Sequence, residues 1–149
     1  MRMINVTGLR GFIVLFCALA TCLLTGCAST NRHDHVRQIG IQTFGTDAYL
    51  KTHEVIYAGP VSSGLMSASG YTADQLALAS DMRIAEKQRV DLVVWGYSSS
   101  RTATTIVLAC SRYCPQPLPQ LQLLFLGKGE DAESVKQAVE STGAKFSFQ

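Results

Sequence analysis

The stretch Val90-Asp91-Leu92-Val93-Val94-Trp95-Gly96-Tyr97 is the most strand-like in the chain. It is rich in β-branched residues and nearly all apolar. A strand with one face in water alternates apolar and polar residues, whereas an unbroken apolar run is buried on both faces. The run therefore predicts a central strand with other layers packed above and below it.

Upstream, Thr72 opens a helical pattern to about Gln88, and Gln75 stands three residues on to complete a capping box. Ala77, Leu78, Met82, Ile84 and Ala85 share a broad face of that helix, interrupted by Asp81. Glu54 to Ala58 reads as a strand ended by Gly59-Pro60. Gln38 to Phe44, with Ile39 and Ile41 on one side, reads as another. Downstream, Ser98-Ser99-Ser100 reads as a turn. Thr102 to Cys110, rich in Thr, Ile and Val, then forms a hairpin with Val90 to Tyr97.

Leu121 to Leu126 is a further strand, broken by Gly127-Lys128-Gly129. A second helix starts at Asp131 or a neighbour. Ala132, Val135, Ala138 and Val139 lie on its apolar face, and Gly143 suits its stop. Ala144, Phe146 and Phe148 alternate in a last short strand. The expectation is an α+β fold: one mixed β-sheet with two helices on one face, in the order β-β-α-β-β-β-α-β, forming a small single domain over residues 38–149.

Composition agrees with a single packed domain. The chain has 149 residues, 47% of them hydrophobic, which is enough for a core and excludes disorder as the dominant state. Thirteen Lys and Arg stand against 11 Asp and Glu with no basic stripe, so no nucleic-acid partner is expected.

The amino-terminal segment reads as an address. Arg2 and Arg10 precede Phe12 to Leu24, a run without charge. That run falls short of the roughly 20 residues a membrane-spanning helix needs, and it lacks the polar face of a surface helix. A basic start, a short apolar run and small residues after it describe a secretory signal.

The run closes on Leu24-Thr25-Gly26-Cys27. This resembles the lipobox of bacterial lipoproteins: an aliphatic residue, a small one, Gly or Ala, then an obligatory Cys. The resemblance implies that residues 1–26 are a lipoprotein signal peptide. It also implies that Cys27 carries a thioether-linked diacylglycerol and that its new amine is usually acylated. Two or more acyl chains anchor a protein stably. Ala28 stands where Asp retains enteric lipoproteins at the inner membrane, so the resemblance favours the outer membrane. Loss of Arg2 and Arg10 leaves 11 basic against 11 acidic residues, a formal net charge of zero. Residues 27–37 read as a lipidated terminus and polar linker.

Cys17 and Cys22 leave with the signal and Cys27 is lipidated, so Cys110 and Cys114 remain. Export to an oxidising compartment predicts that they form a disulfide. Unpaired thiols, or half of a zinc site lacking two further ligands, are the rival readings.

Catalytic motifs are nearly absent. No Gly-x-Ser-x-Gly elbow and no phosphate loop occur, and the chain has three His. His33-Asp34-His35 invites a metal reading, because alternate side chains of an extended segment share a side and His53-Glu54 could complete the site. A flexible linker would lose ordering entropy on binding. No metal, no cofactor and no catalytic residue are therefore expected.

The Ser- and Gly-rich loop Val61 to Gly70 is long for a strand–helix connection. It carries Leu65 and Met66, candidate anchors for a partner that could instead fold back over the core. Ala73 to Tyr97 resembles the helix–strand step of the curli-export and polysaccharide-export lipoproteins, which implies no functional residue. The expected function is a non-enzymatic accessory or assembly subunit that docks an envelope protein at the periplasmic face of the outer membrane. The alternative is a disulfide-bearing envelope sensor or ligand-binding lipoprotein.

Overall fold

The computed structural model describes residues 31–56, 73–113 and 116–149. Helix α1 spans 31–44. It is followed by β1 (Leu50–Val55), α2 (Ala73–Arg83), a short 3-10 turn (Ile84–Glu86), β2 (Val90–Gly96) and α3 (Ser99–Tyr113). The chain ends with β3 (Leu121–Phe125), α4 (Gly129–Glu140) and β4 (Lys145–Phe148). It divides into two units, Met1–Val36 and Arg37–Gln149, and the sheet belongs to the second.

The four strands are parallel and lie in sequence order, β1-β2-β3-β4. Parallel neighbours need a crossover, and right-handed crossovers between successive strands put their helices on one side. Leu78 and Met82 of α2, Ile106 and Ala109 of α3, and Val135 and Val139 of α4 accordingly form one core. Leu92, Val94, Leu121, Leu123 and Phe125 complete it from the sheet. Each fully buried Leu or Phe contributes roughly 1.5–3 kcal/mol.

Val93, Trp95 and Leu124 alternate to the other face and are also buried. There α1 comes very close to the sheet at Gly40. A Cβ at that position would stand 2.7 Å from Val93 Cγ2 and 2.8 Å from Leu50 Cδ1. The helix stops at Gly45, whose φ of 74° is a conformation glycine adopts without strain. Both faces of β2 are thus covered, and six of its seven residues are buried.

A small domain of helices and a single sheet stands as expected, but its arrangement differs. The sheet is parallel rather than mixed, and four helices occur among the described residues instead of two. The order is α-β-α-β-α-β-α-β. Two segments account for the change.

Gln38 to Phe44 is helical, not a strand. Val36 and Gly40 are its buried positions, four apart, so the spacing of Ile39 and Ile41 was a coincidence of period. The same helix takes in residues 31–37 of the expected linker.

Thr102 to Cys110 lies within α3 and forms no hairpin with β2. Its β-branched residues suit a strand, yet Thr102, Ile106, Ala109 and Cys110 are buried at helical spacing. Thr102 and Thr104 donate their hydroxyls to the carbonyls of Ser98 and Ser100 at 2.9 and 2.8 Å. These bonds satisfy the polar atoms that would otherwise count against the helix.

Other expectations hold more closely. The helix from Thr72 to about Gln88 is α2 plus the 3-10 turn, beginning at Ala73 among the described residues. Strand Glu54 to Ala58 is found earlier, at Leu50–Val55. In α4, Val135 and Val139 are buried while Ala132 and Ala138 pack beside them. Gly143 has a φ of 79° and ends that helix.

Candidate functional site

Lys51, His53 and Val55 of β1 point to the helix-covered side, in register with Leu92, Val94 and Gly96 of β2. Helix α2 runs back along β1. The Asp74 carboxylate, in its first turn, accepts the Ile56 N–H beyond the end of the strand. Asp81, two turns later, meets Lys51 and His53. Residues three, four and seven apart share a helix face, so Asp74, Leu78 and Asp81 form one stripe. This explains why Asp81 interrupts an apolar face: its partners lie on β1.

His53 Nδ1 is 2.9 Å from Asp81 Oδ2, and Lys51 Nζ is 3.3 Å from Oδ1. A carboxylate accepts, so Nδ1–H donates. Only 10% of the His53 side chain is exposed, and Nε2 is buried with no hydrogen-bond partner among the described residues. Burial pushes the Asp74 carboxyl above its ordinary 3.8, while His53 and the Ile56 N–H act the other way.

A carboxylate-oriented imidazole is the arrangement used by general bases and metal ligands. Here its open nitrogen faces the interior. No group of three His, Cys, Asp or Glu side chains converges as a metal site among the described residues. The cluster ties the edge strand to its helix.

Three further polar pairs complete the picture. Arg89 makes two bonds to Asp91, at 3.0 and 2.9 Å, and Asp91 is fully buried at the start of β2. The Asp91 hydrogen bond raises the Arg89 pKa further, and the guanidinium lies 5.5 Å from the centre of the Tyr49 ring. Ser99 donates to Asp131 and accepts the Lys128 N–H at 2.7 Å, joining the starts of α3 and α4. The expected serine turn is therefore the opening of a helix, and it has an acid beside it. Arg37 and Asp47 form an exposed pair at 3.0 Å.

At the carboxyl end of the sheet, Ile56 follows β1 and Tyr97 follows β2, one step beyond the Val55–Gly96 register pair. They are 60% and 73% exposed. Phe148 at the end of β4 and Leu76 in the first turn of α2 are also exposed. Strands in sequence order have no reversal point, which is where open parallel sheets form their ligand crevice.

Of the residues singled out in the sequence, Cys27, Leu65, Met66 and Cys114 lie outside the described residues. Cys110 sits on the buried side of α3 and is 4% exposed. His33 and His35 are both on α1. Helical geometry turns them about 200° apart, so the extended alternation behind the metal reading does not apply. His53 pairs with Asp81 rather than with that segment. The signal for the His53–Asp81 pair was present in the sequence as an acid on an apolar helix face, but its partner is 28 residues away. Among the described residues no helix is long and apolar enough to cross a membrane.

No family model matches the chain, and neither a curated protein nor a solved structure matches it.

Proposed function

We propose that this chain is a lipoprotein, anchored through Cys27 to the periplasmic face of the outer membrane, whose folded domain serves as a non-enzymatic accessory or assembly subunit of an envelope complex. One observation carries the reading: Leu24-Thr25-Gly26-Cys27 directly follows a basic start and an uncharged apolar run. The fold is compatible with recognition rather than chemistry. The polar side chains that a reaction would draw on, His53, Asp81, Asp91, Ser99 and Asp131, are engaged with protein partners inside the domain. Leu65 and Met66 remain the proposed contacts for an envelope protein, and Cys110 and Cys114 the proposed disulfide.

The anchor is tested with Cys27→Ser, which should accumulate as unprocessed precursor and take up no palmitate. Normal processing with continued labelling would overturn it. The partner role is tested by crosslinking from intact envelopes. A folded Leu65→Ser, Met66→Ser double variant should lose a crosslinked protein that the wild type captures, and unchanged capture would remove the loop from the proposal.

A further inference from the structure

Gln149 follows β4 and exchanges both of its backbone bonds with the β3 side. Its N–H donates to the Phe125 carbonyl at 3.1 Å, and its carbonyl accepts the Gly127 N–H at 3.2 Å. Successive residues of a strand turn their backbone groups to opposite sides. Lys145 and Ser147 therefore face β3 as Gln149 does, while the N–H and C=O of Phe146 and Phe148 point away from it. β4 is the last strand of the sheet, and among the described residues no strand pairs with its outer side. An edge of this kind is a template for another strand.

We propose that the outer edge of β4 pairs antiparallel with the same edge of a second copy of this chain, about a two-fold axis through Ser147, joining two sheets into one. The inference does not depend on the lipid anchor. A two-fold contact must be self-complementary, and this one is. With the axis on Ser147, Phe146 stands opposite Phe148 of the second copy. Both turn their backbone groups outward, so each such pair exchanges two hydrogen bonds.

The side chains select that register. Lys145 is exposed and carries the single charge of β4. An axis on Lys145 would set two ammonium groups directly opposite, which is unfavourable. An axis on Ser147 sets Lys145 against Gln149 of the second copy and leaves two small hydroxyls at the centre.

On the helix-covered face, Phe146 packs against the core. Phe148 lies 6.1 Å from the Phe125 ring yet is 43% exposed. The same axis lays Phe146 of the second copy beside that ring, and aromatic cross-strand pairs are stabilising. One occupant thus answers the open backbone groups, the lone charge and the exposed ring together. A formal net charge of only +2 adds little repulsion between copies. A four-residue edge buries less than the roughly 1,200 Å² of a stable interface, so the pair forms and separates with concentration.

The test uses the full chain in mild detergent, with cysteines placed on β4. At the axis, the two Cα atoms of a pair without mutual hydrogen bonds stand about 4.5 Å apart, within the range a disulfide spans. Two Lys145 residues would be about 13 Å apart, four strand steps, beyond that range. Mild oxidation should therefore link Ser147→Cys into a dimer, while Lys145→Cys and the wild type, which share the native cysteines, stay unlinked. Sedimentation velocity should show the wild type shifting from monomer to dimer as concentration rises. Phe148→Pro removes an outward N–H and no bond to β3, so it should stay folded by circular dichroism and remain monomeric.

A wild type that is monomeric at every concentration, with Ser147→Cys unlinked, would overturn the proposal. Dimers that persist in folded Phe148→Pro, or equal linking of Lys145→Cys and Ser147→Cys, would place the contact elsewhere and overturn it too. Linking of Ser147→Cys only to a different protein in intact envelopes would give the edge to another partner and exclude the second copy.

Discussion

The Nδ1–H of His53 on β1 donates to the carboxylate of Asp81 on α2 across 2.9 Å, and this bond fixes an edge strand to the helix that follows it. The imidazole is nine-tenths buried and its other nitrogen has no partner among the described residues. The stability of this contact therefore depends on one acceptor.

Asp81→Ala should consequently cost about 1–3 kcal/mol, because it leaves a buried donor unsatisfied and releases Lys51 as well. A double variant, His53→Leu with Asp81→Leu, should lose less than the single one, since both polar groups go together. Urea unfolding of the three proteins decides it. Equal stability of Asp81→Ala and wild type would show that the pair contributes nothing.

Arg89 and Asp91 obey the same asymmetry with a guanidinium in place of the imidazole. Asp91 is fully buried while Arg89 reaches solvent. Removing the guanidinium strands a carboxylate in the interior, and breaking such a pair is worse than replacing both members. Arg89→Ala should therefore lower the unfolding midpoint more than the combined Arg89→Met, Asp91→Leu variant. The reverse order would mean that Asp91 finds another partner.

Gly40→Ala tests the close approach of α1 to the sheet. The new methyl would stand 2.7 Å from Val93, a fully buried side chain of the central strand that has little room to move. Overpacking of this kind costs about 1–3 kcal/mol. Since Ala is the better helix former, any net stabilisation in thermal unfolding would contradict the packing described.

Asp74 supplies a pH signature. Its folded carboxyl titrates above its ordinary 3.8 because burial disfavours the charge. The native state then holds more protons than the unfolded state in the window just above that value, so this group's contribution to stability falls as pH rises through it. Asp74→Asn should remove that falling component while keeping an acceptor for the Ile56 N–H. Unfolding midpoints of the two proteins measured across the acid range should converge at the acid end and separate, with the variant higher, above it. Parallel curves would place the titration elsewhere.

The proposed Cys110–Cys114 disulfide needs a denaturing assay. Cys110 is buried in the core, so it would resist alkylation in the native protein whether oxidised or not. Protein from the envelope, unfolded without reductant, should leave both thiols unmodified. Two alkylated cysteines would exclude the bond.

The sequence by itself determined the central strand and two of the crossover helices. Each of these is written in local pattern: an unbroken apolar run at Val90 to Tyr97, a helical stripe around Leu78 and Met82, and Val135 with Val139 ahead of Gly143. It also displayed Asp81 as an acid out of place. Tertiary structure decided the rest, for a physical reason that the two misread segments share. Thr102 to Cys110 has the composition of a strand, and Ile39 and Ile41 have its spacing, but a chain of parallel strands must cross over between them. The crossover after β2 makes α3, whose threonines return their hydroxyls to their own helix. The helix before β1 is held by the close contact of Gly40 with Val93. Strand direction, and with it the partners of His53 and the end at which Ile56 meets Tyr97, follows from contacts between residues far apart in the chain, which no local period records.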